Sequence, residues 1–122
     1  QITVHGLDTC PYVDALDDWQ SHRQHGPLTV VGETDRLYLQ LPDTLHIDDP
    51  GWQRRLTLSA SGSRSAVVWN PWVDKSRRLT QFAGDAWQRM LCIETARVLD
   101  NALLLGPGEQ HSMVVRFVTT AL

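Results

Sequence analysis

The chain has few cysteines, only Cys10 and Cys92 among its 122 residues. Two cysteines this far apart form neither a disulfide framework nor the paired spacing of a zinc site. The five histidines also lack metal-ligand spacing with cysteine or acidic residues. The sequence therefore predicts no metal site, and its cysteine usage favours a reducing cytoplasmic location.

Long apolar runs and clusters of positive charge are also missing. No stretch approaches the roughly 18 apolar residues of a membrane-spanning helix, and no charged-then-apolar signal segment opens the chain. The formal net charge is −3 with dispersed basic residues, whereas nucleic-acid and anionic-membrane surfaces favour clustered lysine and arginine. We therefore expect neither nucleic acid nor membrane as a partner. The sequence starts at Gln1 and not at Met, and we therefore expect it to be a fragment of a longer protein.

Most of the chain consists of short apolar runs separated by turn signals. An alternation of apolar and polar residues predicts half-buried strands, and clusters of Gly, Pro and Asp predict the turns between them. Segments 8–26 and 71–84 lack this pattern and are predicted to be surface loops with at most a helical turn. The pattern favours one all-β domain, an antiparallel β-sandwich. The predicted strands are 1–7, 28–31, 36–41, 44–47, 53–60, 65–70, 89–98, 102–105 and 112–120.

The longest predicted strand, 89–98, carries a single carboxylate, Glu94. Apolar residues on both of its faces predict a central strand covered on both sides. Desolvation there would shift the proton affinity of Glu94 toward the range useful for a general base or acid. The alternative is a structural carboxylate paired with Arg97 or Arg116 on a neighbouring strand.

The tetrapeptide Trp69-Asn70-Pro71-Trp72 ends a predicted strand in an abrupt turn, because the residue before a proline is held extended. Indole rings at strand ends offer stacking faces for sugars, and an asparagine amide both donates to and accepts from hydroxyls. These residue types make Trp69 and Asn70 candidate sugar-binding residues. Core packing is the alternative for each.

Two charged loops permit similar pairs of interpretations. Glu33-Thr34-Asp35-Arg36 could bind a polyol, or it could be a turn with a surface ion pair of little energetic value. Lys75 lies near Arg77 and Arg78, and the three could bind a phosphate or form a solvated loop.

Five segments occur together in an order and spacing typical of one family. These segments are Val4-His5-Gly6-Leu7 with Tyr12 and Asp14, Glu33-Thr34-Asp35-Arg36-Leu37-Tyr38, Trp69-Asn70-Pro71-Trp72, Met90-Leu91-Cys92-Ile93-Glu94-Thr95 and Pro107-Gly108-Glu109. Together they resemble the C-terminal half of the glucose-6-phosphate 1-epimerases, the hexose-6-phosphate mutarotases of the aldose 1-epimerase superfamily.

The resemblance implies a galactose mutarotase-like β-supersandwich, of which residues 1–122 form the C-terminal part and the N-terminal half is absent. It also implies cofactor-free interconversion of the α and β anomers of a hexose 6-phosphate. In that reaction a glutamate takes the proton of the anomeric hydroxyl and a histidine protonates the ring oxygen, so the ring opens and recloses on the other face. Glu94 matches the glutamate base, and Asp35 matches the aspartate that binds sugar hydroxyls.

The sequence also departs from this family. The acid histidine belongs to a His-Thr-Tyr-Phe-like motif upstream of the Gly-Leu segment, and no histidine here matches it. Most phosphate-binding arginines also lie upstream, and Gln81 and Trp87 stand where many members have Asp and Tyr. We therefore expect the isolated chain to be inactive or nearly so.

Two other functions fit the same sequence. One is a non-catalytic carbohydrate-binding β-sandwich. The other is a structural fragment whose unpaired strand edges lead to self-association.

Overall fold

Nine strands and one α-helix form the fold in the computed structural model, which describes residues 1–122. Two single 3-10 turns, Ala86–Arg89 and Leu99–Asn101, lie on either side of the eighth strand. The helix is α1, Trp72–Arg78. The strands are β1 Thr3–His5, β2 Pro11–Asp14, β3 Gln20–Arg23, β4 Thr34–Tyr38, β5 Thr44–Asp49, β6 Arg54–Ser61, β7 Ser65–Asn70, β8 Cys92–Ala96 and β9 Val114–Ala121.

The strands form two sheets. The four-stranded sheet has the order β1-β5-β6-β9, and the five-stranded sheet has the order β3-β2-β4-β7-β8. Every neighbouring pair is antiparallel. The prediction of an antiparallel all-β sandwich is confirmed. None of its helical segments has the length and apolar character needed to cross a bilayer.

The hydrophobic core lies between the two sheets. Tyr38, Ala66 and Val68 contribute from β4 and β7, where they alternate with residues that face the other way. Val4 and Leu45 contribute from the four-stranded sheet, and all five side chains are nearly inaccessible to solvent. The residues of β4 and β7 that alternate with these core residues, including Asp35 and Trp69, therefore lie on the outer face of the five-stranded sheet. The remaining core residues are Leu7, Cys10, Leu28 and Leu41.

The β6–β7 connection, residues 62–64, is one of the places where the chain passes from one sheet to the other. The φ of Gly62, +81°, lies in the region that favours glycine, and a Cβ there would come within 2.1 Å of the Ser112 carbonyl oxygen. The backbone before β9 can approach this connection so closely because residue 62 has no side chain.

Four local predictions are wrong. Segment 8–26 contains the β2–β3 hairpin, whose strands are too polar to show an apolar alternation. Segment 28–31 makes only an isolated bridge from Leu28 to Val4, and segment 102–105 is not a strand. Segment 71–84, predicted to be a loop with at most a helical turn, contains the seven-residue helix α1.

The predicted position of β8 is also wrong. It spans Cys92–Ala96 and is an edge strand, paired only with β7. Glu94 is exposed, and its neighbours on the strand are half-buried. Apolar residues occur on both faces of this segment, but within residues 1–122 no other element buries it on both sides.

Candidate functional site

The outer face of the five-stranded sheet brings three of the four predicted site residues together. Asp35 lies opposite Trp69, which lies opposite Cys92, so these residues form one row across β4, β7 and β8. Glu94 lies in the next row, opposite Val67, two residues from Cys92 and therefore on the same face. Sheet spacings of about 4.8 Å between strands and 3.3 Å per residue put Asp35 and Glu94 about 12 Å apart at Cα.

Trp69 lies in the middle of this surface, half-buried, between the two acidic residues. The Lys75 ammonium on α1 lies 5.9 Å from the centre of the Trp69 ring. The same ammonium is 3.2 Å from the Glu33 carboxylate, so helix α1 is tied to the loop before β4. Lys75 therefore belongs to the edge of the Asp35–Trp69–Glu94 face.

Partial burial raises the pKa of the Asp35 carboxyl above its usual range. The positive charge of Lys75 opposes this shift, while the negative charges of Glu33, Asp14 and Glu94 add to it. The contribution of Glu94 is the smallest of these, as expected for a carboxylate on the same face but two strands away. Acidic groups gathered at one surface in this way are typical of functional sites.

Glu94 takes no part in any of the seven ion pairs of the structure. The alternative role of a structural partner for Arg97 or Arg116 is therefore not found. The Cys92 thiol lies on the same face, two residues away on β8. Burial raises the pKa of Cys92, and the charge of the Glu94 carboxylate and a hydrogen bond to it raise that pKa further.

Asn70 lies on the opposite face from Asp35, Trp69 and Glu94, in register with Thr34. Its side chain is 3% exposed. The amide nitrogen donates to the carbonyl oxygens of Trp87 and Met90, each at 2.9 Å. The amide oxygen accepts from the Trp72 backbone N–H at 2.8 Å. In residues 1–122 this side chain therefore fixes the segment between β7 and β8.

The second tryptophan of the tetrapeptide packs away from Trp69. The Trp72 and Trp87 rings are tilted against each other with centres 4.4 Å apart. Trp72 therefore packs against Trp87 outside the core between the sheets, and both are half-buried, whereas Trp69 lies on the outer face.

None of the five histidines lies beside Glu94. His5 bonds Asp48 at 3.1 Å, His22 bonds Asp17 at 2.8 Å and His46 bonds Thr57 at 3.1 Å. His111 contacts the Gly62 carbonyl oxygen and His25 is exposed. No group of three or more His, Cys, Asp or Glu side chains is gathered as a metal ion would require.

Sequence reasoning missed the position of Lys75 in this face. Lys75 appeared only as part of a basic loop, and it is the fold of α1 that separates it from the exposed Arg77 and Arg78. The sequence itself places Cys92 on the face of Glu94, because residues i and i+2 of a strand share a face.

The arrangement defines a class of protein, an antiparallel β-sandwich with acidic and aromatic side chains on the outer face of one sheet. The chain is similar to the solved structure of the protein HI1317, with a TM-score of 0.80 and 27% identity over 98% of this chain and 41% of that one. It is also similar to a provisionally named mutarotase, YeaD, from Salmonella typhimurium. That comparison gives a TM-score of 0.72 and 25% identity over 77% of this chain and 32% of the other.

The aldose 1-epimerase family profile matches residues 1–118, and the chain belongs to this family. A relative from Cenchrus ciliaris, provisionally named glucose-6-phosphate 1-epimerase, is 32% identical over 90% of this chain and 33% of its own length. A second protein with the same provisional name, from Haemophilus influenzae (strain ATCC 51907 / DSM 11121 / KW20 / Rd), is 29% identical over 80% of this chain and 34% of its own. The chain spans about a third of the length of these relatives.

Proposed function

We propose that this chain supplies the base and the sugar-binding face of a mutarotase that acts on a hexose 6-phosphate. The observation that carries the proposal is the shared outer face of Asp35, Trp69 and Glu94, in adjacent rows of one sheet. Family membership supports the reaction class. The names of two relatives support the phosphorylated substrate.

Each side chain has a distinct role in this proposal. Glu94 accepts the proton of the anomeric hydroxyl, for which a carboxylate held in no ion pair is suited. Asp35 accepts hydrogen bonds from other sugar hydroxyls, and the Trp69 ring packs against the apolar face of the sugar. The substrate-binding role of Asn70 stays a prediction, and its amide hydrogen bonds would make that role an indirect one.

The reaction also needs an acid that protonates the ring oxygen. Because the histidines of residues 1–122 lie away from Glu94, we place this acid in a chain segment outside these residues. The proposed protein works without a cofactor, in the cytoplasm, and residues 1–122 form the C-terminal part of its single domain. Loss of one member of an acid–base pair lowers a rate by roughly 10²–10⁴-fold. Residues 1–122 alone should therefore anomerise sugar phosphates little faster than buffer.

Exchange NMR between the α and β anomers of glucose 6-phosphate tests this proposal. Residues 1–122 are compared with a protein of the length of the curated relatives that contains them. The longer protein should raise the exchange rate far above the buffer rate, and residues 1–122 should not. Fast exchange with residues 1–122 alone would contradict the absence of the acid, and no exchange with the longer protein would contradict the function.

A second candidate function is carbohydrate binding without catalysis. The lack of a histidine beside Glu94 favours it, because Trp69 and Asp35 can hold a sugar without an acid. Calorimetric binding of glucose 6-phosphate to the longer protein, without faster anomer exchange, would support this candidate.

A further inference from the structure

A cavity of about 600 Å³ lies next to the β6–β7 connection, and none of its lining residues belongs to the Asp35–Trp69–Glu94 face. It is lined by Thr44, Ser59 and Ser61 from β5 and β6, by the connection itself and by the start of β9. Three arginines from different parts of the chain meet there. Arg64 precedes β7, Arg97 follows β8 and Arg116 lies on β9, in register with Ser59.

The charges in this cavity are not balanced. None of the three arginines takes part in an ion pair of the structure. Asp43 is the one acidic residue in the lining, so the formal charge is +2 without His111. Elsewhere in the chain, Arg36, Arg54 and Arg55 each have an aspartate partner. The cavity therefore holds positive charge that residues 1–122 do not neutralise.

Arg97 gives the second observation. Its Nη1 donates to the Gly62 carbonyl oxygen at 3.3 Å, which fixes the guanidinium at the β6–β7 connection. Its Nε has no hydrogen-bond partner, but that atom is enclosed by the protein and out of reach of a ligand. The side chain as a whole is half-buried, so the Nη atoms are the part of Arg97 that can meet a ligand in the cavity.

We propose that this cavity binds a phosphate group, as inorganic phosphate or as a phosphate monoester. A guanidinium fork matches the oxygens of phosphate, and the charge of +2 matches that of a dianion. Arg97 donates through its Nη atoms, and Arg64, Arg116 and the serine hydroxyls complete the shell. The site goes beyond the proposed mutarotase function and does not depend on it.

The test is a titration of the protein at its natural length with inorganic phosphate. Arginine-selective NMR follows the Nε–H signals, and calorimetry gives the affinity. The Arg97 signal should shift in a saturable way, and sodium chloride at equal ionic strength should not reproduce the shift. A parallel titration with phenyl phosphate separates the two sources, because only an open site accepts the ester. A saturable shift of the Arg97 signal with either one supports the proposal, and the absence of such a shift with both overturns it.

Variants locate the binding. Arg97→Gln and Arg116→Gln should each weaken phosphate binding about tenfold or more, the effect of removing a charge-assisted hydrogen bond. Arg77→Gln, an exposed unpaired arginine on α1, is the matched control and should change nothing. If Arg97→Gln does not fold, Arg116→Gln on the exposed strand β9 decides the question. Unchanged affinity in a folded Arg97 or Arg116 variant would overturn the site.

Discussion

The Asp35 carboxyl lies partly buried in the neighbourhood of three other acidic side chains, with Lys75 as the opposing charge. Its raised pKa means that the folded chain binds a proton there more readily than the unfolded chain does. The folded state is therefore penalised at every pH above that raised pKa, and the penalty disappears below the ordinary carboxyl pKa. A residue kept at such a cost is a reasonable candidate for a functional role.

Asp35→Asn should therefore stabilise the chain modestly at neutral pH, since the amide occupies the same place without a charge. This gain in unfolding free energy should shrink as the pH falls through the raised pKa of Asp35. It should vanish below about pH 4, the unperturbed pKa of aspartate. Thermal unfolding at a series of pH values measures this. The exposed Asp100→Asn variant is the control. A variant that is less stable than the wild type at pH 7 would show that Asp35 has a stabilising role.

At the scale of single elements, Asn70 joins β7 to the segment that leads into β8. Three hydrogen bonds from one buried amide hold the backbone at residues 72, 87 and 90. These bonds position α1, and with it the Lys75 ammonium over Trp69. The outer face thus depends on an amide that lies on the inner side of the same sheet.

Asn70→Ala should lower the free energy of unfolding by about 2–3 kcal/mol, because it leaves buried backbone groups without partners. Urea unfolding followed by tryptophan fluorescence measures the change. Gln88→Ala, at an exposed amide of the same segment, should be nearly neutral. Equal stabilities for Asn70→Ala and the wild type would contradict this structural role.

The period-two pattern predicted β4 and β6 because their sequences alternate apolar and polar residues. It failed for β2 and β3, since the Gln20–Arg23 strand is exposed throughout and has no apolar face to reveal it. It placed β8 at the centre because apolar residues on both faces normally mean coverage on both sides. Family motifs predicted Asp35 and Glu94 without geometry. Their shared face with Trp69 required the strand register, which no local pattern contains.

At the scale of the whole molecule, both sheets end in an uncovered edge. β8 is the edge of the five-stranded sheet and β9 the edge of the four-stranded sheet. On β9, Val115 and Phe117 lie on the side of the core residue Leu58 and yet are 38% and 59% exposed. Leu104 is 91% exposed. Such edges pair readily with another strand, as expected for a structural fragment.

Residues 1–122 alone should therefore self-associate in a concentration-dependent way. Sedimentation velocity should show species larger than the 13.8 kDa monomer. Phe117→Lys should reduce association because a charge on the apolar side of an edge strand opposes pairing. Thr120→Lys, on the other side of β9, is the control and should have the smaller effect. A single monomeric species over the whole concentration range would exclude association through these edges.

The most direct test of the central claim is the anomer exchange rate of Glu94→Gln in the longer protein that contains residues 1–122. The amide keeps the size of the side chain and cannot take the proton of the anomeric hydroxyl. The rate should fall by roughly 10²–10⁴-fold, the usual contribution of general acid–base catalysis. Glu109→Gln, whose carboxylate accepts a bond from Gly106, is the matched control and should keep the rate. An unchanged rate in Glu94→Gln would show that Glu94 is not the base.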